Sequence, residues 1–181
     1  MVSPSIPAKL ASRISGTSSV VTALFRIVVG FLFACHGAAS LFGVLGGSFG
    51  KGGTVPFGVW PGWWAAAIEL VAGSLVLVGL ATRPAAVLCS GAMAYAYFFV
   101  HLPHGLFPLV NGGEDAALFC WSFLAIAVLG PGAWAVDNLL IRARTRTRAN
   151  GLNEAYSSDA RLAGLDRQAH GPVVGAARER S

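Results

Sequence analysis

Four apolar runs, separated by glycine- and proline-rich breaks, limit the fold of this chain more than any other feature. They cover about residues 20–45, 60–81, 84–100 and 116–136. A helix needs roughly 20 mainly apolar residues, with a range of about 17–25, to cross the hydrocarbon of a bilayer. All four runs reach that range, the third at its short end. None alternates polar with apolar residues, so helix is favoured over membrane strand. The expected fold is all-α: a four-transmembrane-helix bundle.

The breaks between runs are well marked. Gly46 to Gly53 opens a first loop that continues to Pro61, and Thr82-Arg83-Pro84 makes a tight turn. A third loop over residues 103–115 carries the turn signal Asn111-Gly112-Gly113, and the fourth run closes on Gly130-Pro131-Gly132. The first run is too long for a signal-peptide core and contains Arg26 and His36, so no cleavage is expected at the small residues Ala38-Ala39-Ser40.

Composition agrees with a bilayer as solvent. The chain is 55% hydrophobic and 12% charged, about half the charge of an ordinary soluble domain. The net charge of +5 sits mostly at the chain ends. With both termini in the cytoplasm, the inner side would hold Lys9, Arg13, Arg83, Arg142, Arg144, Arg146 and Arg148, and the outer loops only Lys51. That asymmetry predicts a multi-pass protein of a cell (plasma) membrane with both ends inside. Trp60, Trp63 and Trp64 then fall at the outer interface. The basic run from Arg142 to Arg148 is expected against anionic lipid, and no nucleic-acid partner is expected. The domain reading is a cytoplasmic N-terminal tail over 1–18, a membrane domain over 19–142 and a disordered basic cytoplasmic tail over 143–181.

Cys35, Cys89 and Cys120 form no CxxC pair and lie in apolar runs, where a free Cys behaves as a small hydrophobe. The informative residues are the ionisable ones inside the runs, because each costs a few kcal/mol in hydrocarbon without a partner. These are Arg26, His36 and Glu69. At a rise of about 1.5 Å per residue, His36 and Glu69 lie at similar depth, roughly 9–11 Å from the outer helix ends. Arg26 lies about 9 Å from the inner end. A buried Arg26–Glu69 charge pair is expected, with His36 as a third member. It would serve either as a structural lock or as a polar site for proton transfer or a quinone headgroup. Gly30, Ala34 and Gly37 share a stripe with Arg26, and Gly73 shares one with Glu69. Small residues at that spacing let two helices approach closely.

A second polar cluster, at the outer ends of the third and fourth runs, contains His101, His104, Asn111, Glu114 and Asp115. Pro103 interrupts the pair of histidines and no HExxH is present, so no metal site is expected. Acidic residues at the start of a helix suit its dipole. The glycine stretch at 46–53 lacks the GK[ST] ending of a phosphate loop. No flavin, haem or nucleophile-elbow pattern appears, so a stand-alone enzyme is not expected and the catalytic candidates stop at Glu69 and His36.

Several stretches together carry a resemblance. The first run reads Phe25-Arg26-Ile27-Val28-Val29-Gly30 and continues to His36-Gly37. The second has Glu69-Leu70-Val71-Ala72-Gly73, then Gly79-Leu80-Ala81-Thr82-Arg83-Pro84. The fourth opens Asn111-Gly112-Gly113-Glu114 and closes Gly130-Pro131-Gly132-Ala133-Trp134-Ala135-Val136-Asp137. In order and spacing this resembles the DoxX family of small four-helix bacterial membrane proteins. The resemblance implies a membrane subunit associated with a redox or quinone-linked complex, with a link to oxidative-stress defence. It implies membrane lipid and a soluble or membrane oxidoreductase as partners, admits an oligomer, and makes quinone the cofactor to expect, none being bound covalently. Disulfide chemistry does not carry over, because a CxxC is missing. The alternatives kept open are a small-solute binding or transport protein and a purely structural membrane adaptor.

Overall fold

A computed structural model of the chain describes residues 8–169, with side chains described for residues 16–48 and 50–157. Among the described residues all regular structure is helical. Helix α1 covers Ala8–Phe42, α2 Gly62–Val78, α3 Thr82–Tyr95, α4 Pro108–Asn111, α5 Glu114–Leu129 and α6 Val136–Ala169. Beyond Tyr95 the chain stays helical but wound more loosely over Ala96–His101, then tightens over Leu102–His104, where Pro103 ends it.

Two of these helical segments are long and apolar enough to cross a membrane: Gly16–Phe42 and Thr82–His104. Helix α2 is apolar but has 17 residues, and α5 has 16. The second and fourth runs are therefore shorter as helices than as apolar stretches. Gly79 stops α2 in a left-handed conformation (φ +75°), and Gly130 stops α5 at φ +91°. At both positions the apolar sequence continues past a residue whose backbone cannot continue the helix.

Residues through Leu139 form one unit and those from Leu140 another. In the first unit α1 packs along α2, α3 along α5, and α2 and α5 each meet the neighbouring pair. Their shared core contains Val29 and Phe33 from α1, Ala72 and Val76 from α2, Cys89 and Met93 from α3, and Phe123 and Ile126 from α5. Phe33 meets Phe123 edge-on with ring centroids 4.6 Å apart. The polarity is inverted relative to a protein in water. Arg26 is among the largest fully buried side chains, while Phe25, Val28, Phe31, Val71, Val87, Phe98, Leu118, Trp121 and Val128 are exposed. Apolar side chains facing outward around a small-residue interior suit a lipid solvent.

The α1–α2 contact is made backbone to backbone. A Cβ on Gly30 would stand 2.7 Å from the Leu77 amide nitrogen, and one on Gly37 would overlap the Leu70 amide and stand 2.7 Å from the Ala66 carbonyl. A Cβ on Gly73 would stand 3.1 Å from the Ala34 amide. Ala34 is itself buried there.

The second unit differs from expectation. The segment expected to be disordered from residue 143 is helical in α6 through Ala169. Its side chains from Leu140 to Ser157 are exposed, including all four arginines of the basic run. Burial therefore does not hold this helix; local propensity does, since Ala, Leu, Arg and Glu all favour helix. Thr145 and Thr147 bond back to the carbonyls of Ile141 and Ala143. Of the expected tails, residues 1–7 and 170–181 lie outside the described residues, and the N-terminal tail from Ala8 onward forms the start of α1.

The glycine contacts give a paired prediction. Gly37→Ala should destabilise the protein by about 1–3 kcal/mol, because its methyl group meets backbone that cannot yield. Gly91→Ala, in open space on exposed α3, should be neutral or stabilising by up to about 1 kcal/mol. Thermal unfolding in detergent micelles compares the two; equal effects would show that α1 and α2 do not approach this closely.

Candidate functional site

The two ends of the first unit carry different polar chemistry. At one end Arg26 is completely buried. Its Nε donates to the Pro131 carbonyl at 2.8 Å, Nη1 to the carbonyls of Val76 and Leu77, both at 2.6 Å, and Nη2 to that of Trp134 at 3.3 Å. The guanidinium thus joins α1 to the last turn of α2 and to the turn that follows α5. A cation at the C-terminal end of α2 also meets the negative end of its dipole. Gly79 lies under this group: a Cβ there would come within 2.9 Å of Arg26 Nη1 and 2.6 Å of Ala135 Cβ.

Asp137 completes the same end. Its carboxylate accepts from the amides of Ala81 and Thr82 at 2.8 and 2.9 Å and from the Thr82 hydroxyl at 2.7 Å. It therefore caps the N-terminus of α3 although it belongs to α6. Burial opposes its charged form. The hydrogen bonds from Thr82 and Ala81 and the nearby Arg26 charge outweigh that and hold its carboxyl below the usual carboxylate range. Arg83 closes the ring by donating to the Ala127 carbonyl at 2.9 Å, beneath the Gly130 turn.

The expected Arg26–Glu69 contact does not form. Glu69 lies seven residues before Val76 on α2, about 10 Å along the axis, and every bond of Arg26 goes to backbone carbonyls at the far end. Glu69 is instead half-buried in a cavity of about 490 Å³ at the opposite end. The cavity is walled by α1 (Leu32, Cys35, His36, Ser40), by α2 (Ala65, Ala66, Glu69) and by the loop between them, with Asp115 from α5. Among the described residues nothing donates a hydrogen bond to Glu69 and no cation pairs with it. His36 stands edge-on to Phe119, with ring centroids 5.7 Å apart.

The outer polar cluster divides. His101 lies 3.2 Å from the Asn111 carbonyl and His104 3.0 Å from that of Val100. Asn111 donates to the Gly105 carbonyl at 2.6 Å and accepts from the Gly113 amide at 2.8 Å. These residues tie the α3–α5 connection together and do not line the cavity. Glu114 is exposed at the first turn of α5. Its neighbour Asp115 is the acidic residue that reaches the cavity. Among the described residues no three of His, Cys, Asp or Glu gather as a metal site would require. Tyr97 donates to the Leu106 carbonyl at 3.0 Å, and Tyr95 accepts from Trp60 at 3.3 Å.

Asp137, Thr82 and the carbonyls of Pro131 and Trp134 were not singled out from sequence. The available signal was that the stretches 79–84 and 130–137, both part of the resemblance, carry an Arg, a Thr and an Asp beside three glycines. They converge on one point in space.

Comparison with known proteins agrees with the resemblance. The family model DoxX matches residues 21–102, a span that contains Arg26, His36, Glu69 and the Thr82 turn. An uncharacterized protein of Haemophilus influenzae is 41% identical over 123 residues, 64% of this chain and 87% of that relative. No solved structure matches the chain.

Replacing Arg26 by Met should cost several kcal/mol of stability, because four carbonyls lose a donor at about 1–3 kcal/mol for each left buried and unpaired. Arg26→Lys should recover part of that loss, as one ammonium cannot span all four. For Asp137, a depressed folded pKa means its contribution is present above the unfolded value near pH 4 and is lost as pH falls through the lower folded value. Asp137→Asn should therefore lower stability at pH 7 and flatten the acid limb of the stability curve. An unchanged melting profile for both Arg26 variants would remove this end as a structural lock.

Proposed function

This chain belongs to the DoxX family, and from that premise we propose that it is the membrane subunit of a redox- or quinone-linked complex, holding a small ligand in the Glu69 cavity. The observation that carries the reading is the cavity itself: about 490 Å³ between α1 and α2, with a carboxyl group that opens into it and takes no partner among the described residues. A carboxyl half-buried in an apolar bundle without a partner is costly, and such groups in membrane proteins mark sites. His36 supplies a ring whose nitrogens can donate or accept a hydrogen bond.

In this reading α1, α2, α3 and α5 all cross the plasma membrane of a bacterium. Lys and Arg are distributed for an orientation with both termini in the cytoplasm. The Arg26 end then faces inward and the cavity outward, and the exposed Trp60 and Trp64 around the start of α2 suit the outer interface. The short α2 and α5 are accommodated by local thinning of the bilayer. The basic start of the second unit, Arg142 to Arg148, suits anionic lipid.

A second reading, a binding or transport site for a small solute arriving from outside, is favoured by one feature. The wall of the cavity includes the α1–α2 loop at Leu45, Gly47, Gly50 and Val55, so loop movement alone would open it.

Mild purification from native membranes, followed by mass spectrometry of extracted small molecules and of associated proteins, tests the proposal. A quinone retained by the wild type, depleted at least about tenfold in Glu69→Leu, and an oxidoreductase in the same preparation are expected. Absence of both from intact native membranes would reject it in favour of a structural adaptor.

A further inference from the structure

The hydrogen-bonding character of the cavity is one-sided. Glu69 and Asp115 contribute two carboxyl groups, while Ser40 and His36 can act either way. Among the described residues that line it there is no Lys, Arg, Asn, Gln, Trp or Tyr, so none of them is a dedicated side-chain donor. Most amides of the loop's lining residues are already used, those of Leu45 and Gly62 excepted. The amides of Gly47 and Gly50 bond to the carbonyls of Val44 and Gly47, and those of Ser48, Lys51 and Gly52 are likewise used inside the loop. The Val55 amide bonds to the Ser40 carbonyl at 2.9 Å. An anion would meet two acids and no cation. Beside an ionised Glu69, a ligand that offers only carbonyl oxygens would find Ser40 and His36 as its side-chain donors, with the Cys35 thiol a weak third.

We infer that the cavity selects a small ligand presenting an O–H or N–H donor to Glu69, in preference to its carbonyl counterpart or to an anion. This rests on reading the cavity as a binding site. A hydroxyl of a hydroquinone and a primary ammonium satisfy the same requirement. Both place a hydrogen between ligand and carboxylate, and hydrogen bonds to a charged group are the stronger kind. The oxidised quinone lacks that hydrogen, so discrimination falls between the two redox forms of one molecule.

The full-length protein in lipid nanodiscs, titrated by isothermal calorimetry, tests this with four probes. These are a short-chain hydroquinone held reduced, the matching quinone, benzylammonium and benzoate. The expected result is binding of the hydroquinone or of benzylammonium at least about tenfold tighter than of the quinone and benzoate. Whichever of the two binds identifies the source of the donor. Glu69→Gln, which puts an amide donor at the same place, should erase or reverse the preference. Asp115→Asn, at an exposed position, provides a second variant that does not depend on the Glu69 substitution folding, and should weaken benzylammonium more than hydroquinone. Quinone or benzoate binding as tightly as the donor probes would overturn the inference while leaving the cavity as a site. Failure of all four probes to bind wild type would overturn the inference and the cavity reading together.

Discussion

The fold depends on finding partners for one buried cation. Arg26 sits on a helix that is apolar for several turns on either side, where an unpaired guanidinium costs several kcal/mol. The partners it finds are backbone carbonyls and no carboxylate touches it, which dictates much of the surrounding chain. The Val76 and Leu77 carbonyls are within reach because α2 stops at Gly79. Those of Pro131 and Trp134 are within reach because the chain turns sharply after α5. Gly79 is required twice over, by its φ of +75° and by the Arg26 nitrogen 2.9 Å from where a Cβ would be. Gly132 is similarly placed, with the Ala23 amide 2.7 Å from a Cβ position. Asp137 adds charge balance nearby while capping α3. One cation thus sets where α2 ends, where α3 begins and how the chain leaves α5.

This explains what was legible in the sequence. The helical runs were, because apolar length and glycine or proline breaks are local signals. Arg26, His36 and Glu69 were, because an ionisable residue in an apolar run is conspicuous wherever it lies. Their pairing was not. Depth along a helix can be counted from sequence, but the partners of Arg26 are carbonyls, which every residue has, and two of them come from a turn more than a hundred positions away. Attraction between opposite charges made Glu69 the obvious partner. Four carbonyls at 2.6–3.3 Å, two of them at a helix C-terminus, satisfied the guanidinium instead.

The other differences have equally physical causes. The polar segment after residue 142 lacks apolar residues to bury, which argued for disorder. Helix formation in α6 uses backbone bonds and local propensity, and needs no burial. The cluster of His101, His104, Asn111 and Glu114 is close in sequence but divided by the backbone. A loop must first satisfy its own polar groups, and His101, His104 and Asn111 are used for that, so Asp115 alone reaches the cavity. The distinction between Glu114 and Asp115 is a rotation of one residue at a helix start, which sequence spacing alone does not resolve.

Separation of the two ends gives the molecule its asymmetry. Had Arg26 paired with Glu69, both charges would have been spent on register and the interior would hold no open chemistry. Because Arg26 is satisfied by carbonyls about 10 Å along α2 from Glu69, the carboxyl is left without a protein partner in a space large enough for a ligand. A carboxyl group in that setting must either hold its proton or be matched by something that enters the cavity. Its protonation state and the occupancy of the site are therefore coupled, whatever the ligand. That coupling requires a rigid wall, and the close α1–α2 contact through Gly30, Gly37 and Gly73 supplies one directly beside it. The lock at one end and the small-residue seam between the helices hold the geometry, so that Glu69 can remain unsatisfied at the other.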